Sequence, residues 1–287
     1  MILVCWVGHR TVPEPGEAVP VVAAIPARCP IRGRSFRLWP ACFSHRLLLL
    51  LAGFSPLQAD LLKVADFETG DLTQSRIQQG SPDAVTLVTS PVRAGKHAAR
   101  MILRAADPEA AKGKRAEFID DRTKVQMNTE YWYGLSLYLP GEFKPPQQTD
   151  AVLFQWHTQQ GGPSPVLAIR VNGDDWIITS DAVPGGKRRR MKHLPLKKDV
   201  WTDWVVHVRW ASDTTGFWTL WKDGVEVLSE KGIVTQYPEK LGPYAKFGQF
   251  HSVNETAENV IYADEYRVGG PGSSYEEVAP GKRTVGD

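Results

Sequence analysis

Gln155 and His157 stand two residues apart in the stretch VLFQWH (152–157), so an extended chain would carry the amide and the imidazole on one face. Two other stretches repeat that interval. KRAEF (114–118) offers Arg115 and Glu117, and YAKFGQF (244–250) offers Tyr244, Lys246 and Phe250. If the three segments are strands of one concave sheet, they pave a groove with cation, amide and imidazole. Such a lining suits an extended anionic chain better than a small apolar ligand. Each residue also has a plainer reading: Arg115 and Glu117 as a cross-strand ion pair, His157 as a hydrogen-bonded core histidine, Lys246 as a solvated edge residue. Three stretches with one pattern favour a site.

The elements that must position these residues read as β-strands. YWYGLSLYLP (131–140), VLAIRVNG (166–173), DWIITSD (175–181), DWVVHVRW (203–210), FWTLWKDGVEVLSE (217–230) and ENVIYADEYRVGG (258–270) are short aromatic or β-branched runs separated by turn residues. Asp223-Gly224 lies between two such runs and marks a tight hairpin. Long amphipathic helical windows are absent. Many strands of similar length predict an all-β fold, a two-sheet antiparallel sandwich of the jelly-roll, concanavalin-like kind with a concave groove.

The boundaries follow from composition. All three cysteines, Cys5, Cys29 and Cys42, precede residue 60, so the β-rich region must fold without disulfides. RLLLLLAGFSPLQA (46–59), led by Arg34, Arg37 and Arg46 and closing on Ala59, reads as a signal peptide spanning about 34–59 within a leader of 1–59. The apolar run is too short and too broken for a convincing membrane span. The β domain is expected over 60–270, and 271–287 reads as a flexible tail. The chain carries +2 at neutral pH; the leader holds six Lys/Arg against two Asp/Glu, so its loss leaves −2. Against that mild acidity, GGKRRRMKHLPLKK (185–198) gathers Arg188, Arg189, Arg190, His193 and four lysines into what reads as a basic loop, a local attraction for a polyanion. No nucleic-acid-binding motif appears, so nucleic acid is not the expected partner.

RAEF, QWH and YAKFGQF resemble the three signature stretches of the jelly-roll polysaccharide lyases, the group holding alginate lyases, glucuronan lyases and heparin lyase I. Those motifs run Arg-x-Glu-Leu, Gln-x-His and Tyr-x-Lys-x-Gly-x-Tyr, in this order. DFETGDL (66–72), VWTDWVVHVRW (200–210) and VIYADEYRVG (260–269) extend the likeness to the heparin lyase I and glucuronan lyase branch. The resemblance implies β-elimination on a uronic-acid polymer, secreted or periplasmic, with an anionic polysaccharide as partner and a monomer as the working form. It implies Arg115 and Gln155 at the substrate carboxylate, His157 as general base and Lys246 lining the site. Glu117, Tyr244, Phe250 and His251, with Arg188, Arg189, Arg190 and His193 of the basic stretch, are the expected substrate contacts.

One position departs from the family pattern. The last tyrosine of the third motif, the family's proton donor, is Phe250 here. Tyr244 lies six residues away, roughly 20 Å along a strand; His251 should face the other way unless a bulge intervenes near Gly248; Tyr133, Tyr138, Tyr262 or His193 would have to come from elsewhere. The resemblance also implies terminal strands side by side, which could bring Glu68 and Asp264 together at a structural calcium ion. Two other functions stay open: a binding protein that kept the groove and lost the chemistry, and a glycoside hydrolase, for which no strand presents a suitable acidic pair.

Overall fold

The computed structural model describes residues 61–146, 149–182, 187–251 and 257–281. The leader and the signal-like run therefore lie outside the described residues. In chain order the strands are β1 (Lys63–Ala65), β2 (Arg76–Gln79), β3 (Val85–Val88), β4 (Ala98–Leu103) and β5 (Lys114–Asp120). Then come β6 (Glu130–Tyr138), β7 (Ala151–His157), β8 (Leu167–Asn172), β9 (Asp175–Ser180) and β10 (Arg189–Pro195). The last are β11 (Trp201–Arg209), β12 (Gly216–Lys222), β13 (Val225–Ile233), β14 (Tyr244–His251) and β15 (Asn259–Gly269), followed by the short helix α1 (Tyr275–Val278).

All pairings between these strands are antiparallel, and they make two sheets. One runs β13-β12-β11-β6-β15-β4-β3, with β1 also pairing β15; the other runs β10-β9-β8-β7-β14-β5-β2. The expected all-β jelly-roll sandwich is the observed fold. Two meanders, β7 to β10 and β11 to β13, supply neighbours in sequence. The non-local insertions decide the site: β14 enters between β7 and β5, which brings the three polar stretches onto adjacent strands.

Period-two alternation explains why these strands hold their faces. In β5, β7 and β14 the core sides are Ala116 and Phe118, Phe154 and Trp156, Ala245 and Phe247, all buried. Phe118 stacks on Phe247 at 5.1 Å, Phe247 on Tyr266 of the opposite sheet at 4.6 Å, and Phe154 lies 4.3 Å from Trp156. Each fully buried aromatic contributes about 1.5–3 kcal/mol by leaving water. A one-residue slip in any of the three strands would send that layer to solvent and the polar residues into the core. The register of the site is therefore set by the aromatics behind it.

Two expectations are corrected. The basic stretch is no loop: Arg189–Pro195 forms the edge strand β10, paired with β9 through a register shift between Arg190 and Lys192. Cations on an exposed edge discourage pairing with another chain. Nor is 271–281 loose. Glu277 Oε2 accepts hydrogen bonds from the Ser274 amide and hydroxyl, Val278 is fully buried, and Tyr275 packs edge-on to Trp221 at 5.5 Å. The Asp223-Gly224 hairpin stands where expected, both residues at positive φ (50° and 80°). No helix among the described residues is long and apolar enough to cross a membrane.

Candidate active site

The register across β5, β14 and β7 assembles the polar face row by row. Arg115 lies opposite Phe250, Lys246 opposite Gln155, and Tyr244 opposite His157. Glu117 is the hub. Its carboxylate is 1% exposed and accepts from Arg115 Nη1 at 2.8 Å and from Gln155 Nε2, with Lys246 Nζ 3.7 Å away. Arg115 and Glu117 do form an ion pair, but within the single strand β5 rather than across strands. One carboxylate faces two cations, so the cluster keeps a net positive charge. Lys246 additionally donates to Gln78 Oε1 at 2.8 Å, and burial holds its ammonium pKa down.

Arg115 is held rigidly. Its Nε and Nη2 donate to the Ala110 and Ala111 carbonyls at 2.7 and 3.0 Å, and its guanidinium sits 4.2 Å over the Phe250 ring. The Phe250 ring in turn lies so close to Gly113 that a Cβ there would collide with it. Three of five guanidinium N–H groups are committed, which leaves two for a ligand. Because Glu117 organises Arg115, Gln155 and Lys246, we expect Glu117→Ala to destabilise the fold by about 3–5 kcal/mol, the cost of stranding buried charges. Chemical denaturation of the variant checks this; a midpoint within experimental scatter of wild type would contradict the hub.

His157 has a defined protonation pattern. Its Nδ1 lies 2.9 Å from the Thr158 carbonyl, which can only accept, so Nδ1 carries the hydrogen and Nε2 of the neutral ring is a free lone pair. Burial lowers its pKa below the ordinary 6.5, and the nearby Lys246 and Arg115 charges push the same way against the Thr158 hydrogen bond. The Tyr244 ring lies 5.3 Å from the imidazole at 30°. Burial, then the Glu117 charge, raises the Tyr244 pKa, so this phenol keeps its proton.

A cavity of about 530 Å³ opens over this face. Arg115, Gln155, His157, Phe250, Arg188 and Arg190 of the sequence expectations line it. Lys112, Asp150 and Arg170 line it too and were not anticipated. Arg170 left a signal in the sequence, the lone charge in the apolar strand VLAIRVNG. Asp150 left none, because nothing local distinguishes it from an ordinary loop carboxylate.

Other expected contacts fall elsewhere. His251 is 1% exposed and on the core side: the β14–β5 register runs unbroken from Ala245 to His251, so alternation turns its ring away from the groove. The bulge imagined near Gly248 affects only the β7 side. Burial first, then Lys114, pushes the His251 pKa down to about 4. Arg189 pairs with Glu230 of the opposite sheet, and exposed His193 sits 3.3 Å from Asp175. Of the phenols considered as acids, Tyr133 is buried between the sheets, while Tyr138 and Tyr262 pack together at 5.8 Å on the other sheet.

The terminal strands β1 and β15 do pair, yet Glu68 and Asp264 serve the backbone rather than each other. Glu68 Oε1 accepts from the Lys96 and His97 amides, and Asp264 Oδ2 from those of Arg93 and Ala94. Among the described residues no three His, Cys, Asp or Glu converge as a metal site.

Residues 67–267 match the model of a family described as polysaccharide lyase. Among solved structures, the fold is similar to an endo-β-1,4-glucuronan lyase from the fungus Trichoderma reesei, with a TM-score of 0.66 and 19% identity over 78% of this chain and 100% of that one. It is also similar to a family 7 alginate lyase, A1-II′, in complex with substrate, at a TM-score of 0.54 and 10% identity over 70% and 93% of the two chains. At such identities the likeness is one of fold. No curated protein matches the sequence.

Proposed function

Because the chain belongs to the polysaccharide lyase family, we propose that this lyase cleaves a uronic-acid polymer by β-elimination in the groove of β5, β14 and β7. The observation that carries the reading is the His157 imidazole, fixed by Thr158 as the tautomer with a free Nε2 and lining the cavity beside Arg115 and Gln155. A uronate C5–H is a poor acid because the adjoining carboxylate is already negative. The free N–H groups of Arg115 and Gln155 bind that carboxylate and stabilise the charge that builds as the proton leaves. His157 Nε2 takes the C5 proton. The electron pair forms the C4–C5 double bond and expels the glycosidic oxygen from C4, which must be protonated.

Tyr244 supplies that proton. Phe250 has none to give, and the separation from Phe250 along β14 that argued against Tyr244 is the wrong distance. What matters is the base, and Tyr244 is the direct cross-strand partner of His157. Glucuronan and alginate, the polymers in the names of the two similar structures, are the first to be screened. The reading also places the protein outside the cytoplasm, where such polymers are met. The experiment is to incubate the protein with each polymer and follow the ultraviolet absorbance of the unsaturated uronate. No absorbance on any uronate polymer overturns the reading; reducing ends without absorbance would indicate hydrolysis instead.

The pH profile gives a second test. His157 must be neutral to act, and its pKa lies below 6.5, so kcat/KM should rise with pH through a limb below 6.5 and stay high at neutrality. The Tyr244 phenol must be protonated, and its pKa is raised above 10.0, so the alkaline limb lies beyond 10. An acidic limb above 6.5 would contradict a desolvated imidazole.

A further inference from the structure

The outer face of the other sheet carries a row of side chains that the elimination chemistry does not use. Cross-strand register sets Trp201 of β11 beside Tyr138 of β6, Tyr138 beside Tyr262 of β15, and Tyr262 beside Arg100 of β4. Alternation turns all four outward, since the residues next to them, Thr202, Leu137, Ala263 and Ala99, are the buried ones. The row crosses three strand spacings, about 14 Å. Its rings are partly exposed. Tyr138 lies 5.5 Å from Trp201 at 56° and 5.8 Å from Tyr262 at 76°. Aromatic pairs across strands also stabilise a sheet by packing alone, so the row needs a second feature to be a site.

A cavity supplies it. About 350 Å³ opens at the Arg100 end, lined by Arg100, Glu142, Lys144, Glu258 and Tyr262. Its wall is fixed in place. The Lys144 amide donates to Asn259 Oδ1 at 2.7 Å and Asn259 Nδ2 to the Lys144 carbonyl at 2.9 Å, while Asp199 Oδ1 accepts from the Gly141 amide at 2.7 Å and the Tyr138 hydroxyl at 3.4 Å. The four charged side chains of the lining make no hydrogen bond or ion pair among the described residues. Donors and acceptors thus stand free in a preformed hollow, which lowers the ordering cost of filling it.

The balance of charge identifies the ligand. Arg100 and Lys144 cancel Glu142 and Glu258. Lys198, which donates to the Gly141 and Phe143 carbonyls, cancels Asp199. A patch with no net charge draws no polyanion, in contrast to the cation excess around Glu117. Aromatic rings beside unpaired donors and acceptors suit the C–H faces and hydroxyls of neutral sugars. The centroid spacings are close to the advance of one sugar along an extended chain, and rings turned against one another match a chain that twists from sugar to sugar.

We propose that Trp201, Tyr138, Tyr262 and the cavity at Arg100 and Lys144 bind an extended neutral polysaccharide, of the β-1,4-glucan or mannan kind, and so anchor the protein to neutral polymer lying beside its substrate. The site is on the sheet opposite His157 and does not depend on the lyase reading.

The test is native affinity electrophoresis of the full chain in gels cast with hydroxyethylcellulose, glucomannan, glucuronan or alginate. Wild type should be retarded by the neutral polymers. Tyr262→Ala and Trp201→Ala should weaken that binding about tenfold or more, and Lys144→Gln about three- to tenfold. Lys144 is exposed, so Lys144→Gln folds even if a ring deletion does not. Cleavage of a soluble oligouronate should be the same in Lys144→Gln as in wild type. Wild type that runs unretarded in both neutral gels, or variants retarded as much as wild type, overturns the site. Retardation by glucuronan or alginate that Tyr262→Ala abolishes overturns the neutral assignment in favour of an acidic chain. If no uronate polymer is cleaved, the lyase reading fails while the neutral gels still decide the anchor.

Discussion

Replacing His157 with alanine should lower kcat by about 10²- to 10⁴-fold, the usual worth of a positioned general base, while oligouronate binding falls little. The asymmetry follows from what each group meets. Nε2 engages a C–H that is almost uncharged until the transition state, whereas Arg115 meets a carboxylate already ionised in the ground state. Arg115→Ala should therefore damage Kd and kcat together. It should also loosen the 110–111 turn, because the same guanidinium holds both carbonyls there. Steady-state kinetics by ultraviolet absorbance, with calorimetric Kd values for an oligouronate, separate the two variants. Unchanged kcat in His157→Ala would remove the base assignment.

The second large effect concerns the proton donor. Tyr244→Phe should cost about 10²- to 10⁴-fold in kcat, since it deletes only the hydroxyl of the proposed acid and leaves the ring, 5.3 Å from the imidazole, in place. Phe250→Tyr should stay within about threefold of wild type by the same argument, because a donor is already present. At position 250 the ring is wedged between the Arg115 guanidinium and Gly113. The opposite pattern, with Tyr244→Phe silent and Phe250→Tyr strongly activating, would return the acid to the family position and leave water as the present donor. The pair of variants decides between these because each adds or removes a single oxygen.

These tests turn on adjacencies that were unequally visible in the sequence. Turn residues and period-two alternation are local properties. They located β6 to β9, the Asp223-Gly224 hairpin and the shared faces of Arg115 with Glu117 and Gln155 with His157, and the resemblance to polysaccharide lyases joined those faces into one groove. β10 escaped because its alternation is masked by a dense run of cations, most of them exposed. The C-terminal segment escaped because its burial depends on a neighbour, Gly134 of β6, that lets the Val278 carbonyl approach closely.

Register across strands is not local, and there the tertiary structure alone decided. Six residues along β14 separate Tyr244 from Phe250, but one hydrogen-bonded step across the sheet joins Tyr244 to His157. An uninterrupted pairing with β5 kept His251 on the core side. Arg170 joined the wall of the cavity that His157 lines only when β7 paired with β8. The sequence by itself determined which residue types each strand shows to the groove, because side chains alternate whatever the partner strand. The fold determined which of them meet, because the aromatic layer between the sheets fixes the register of the strands that carry them.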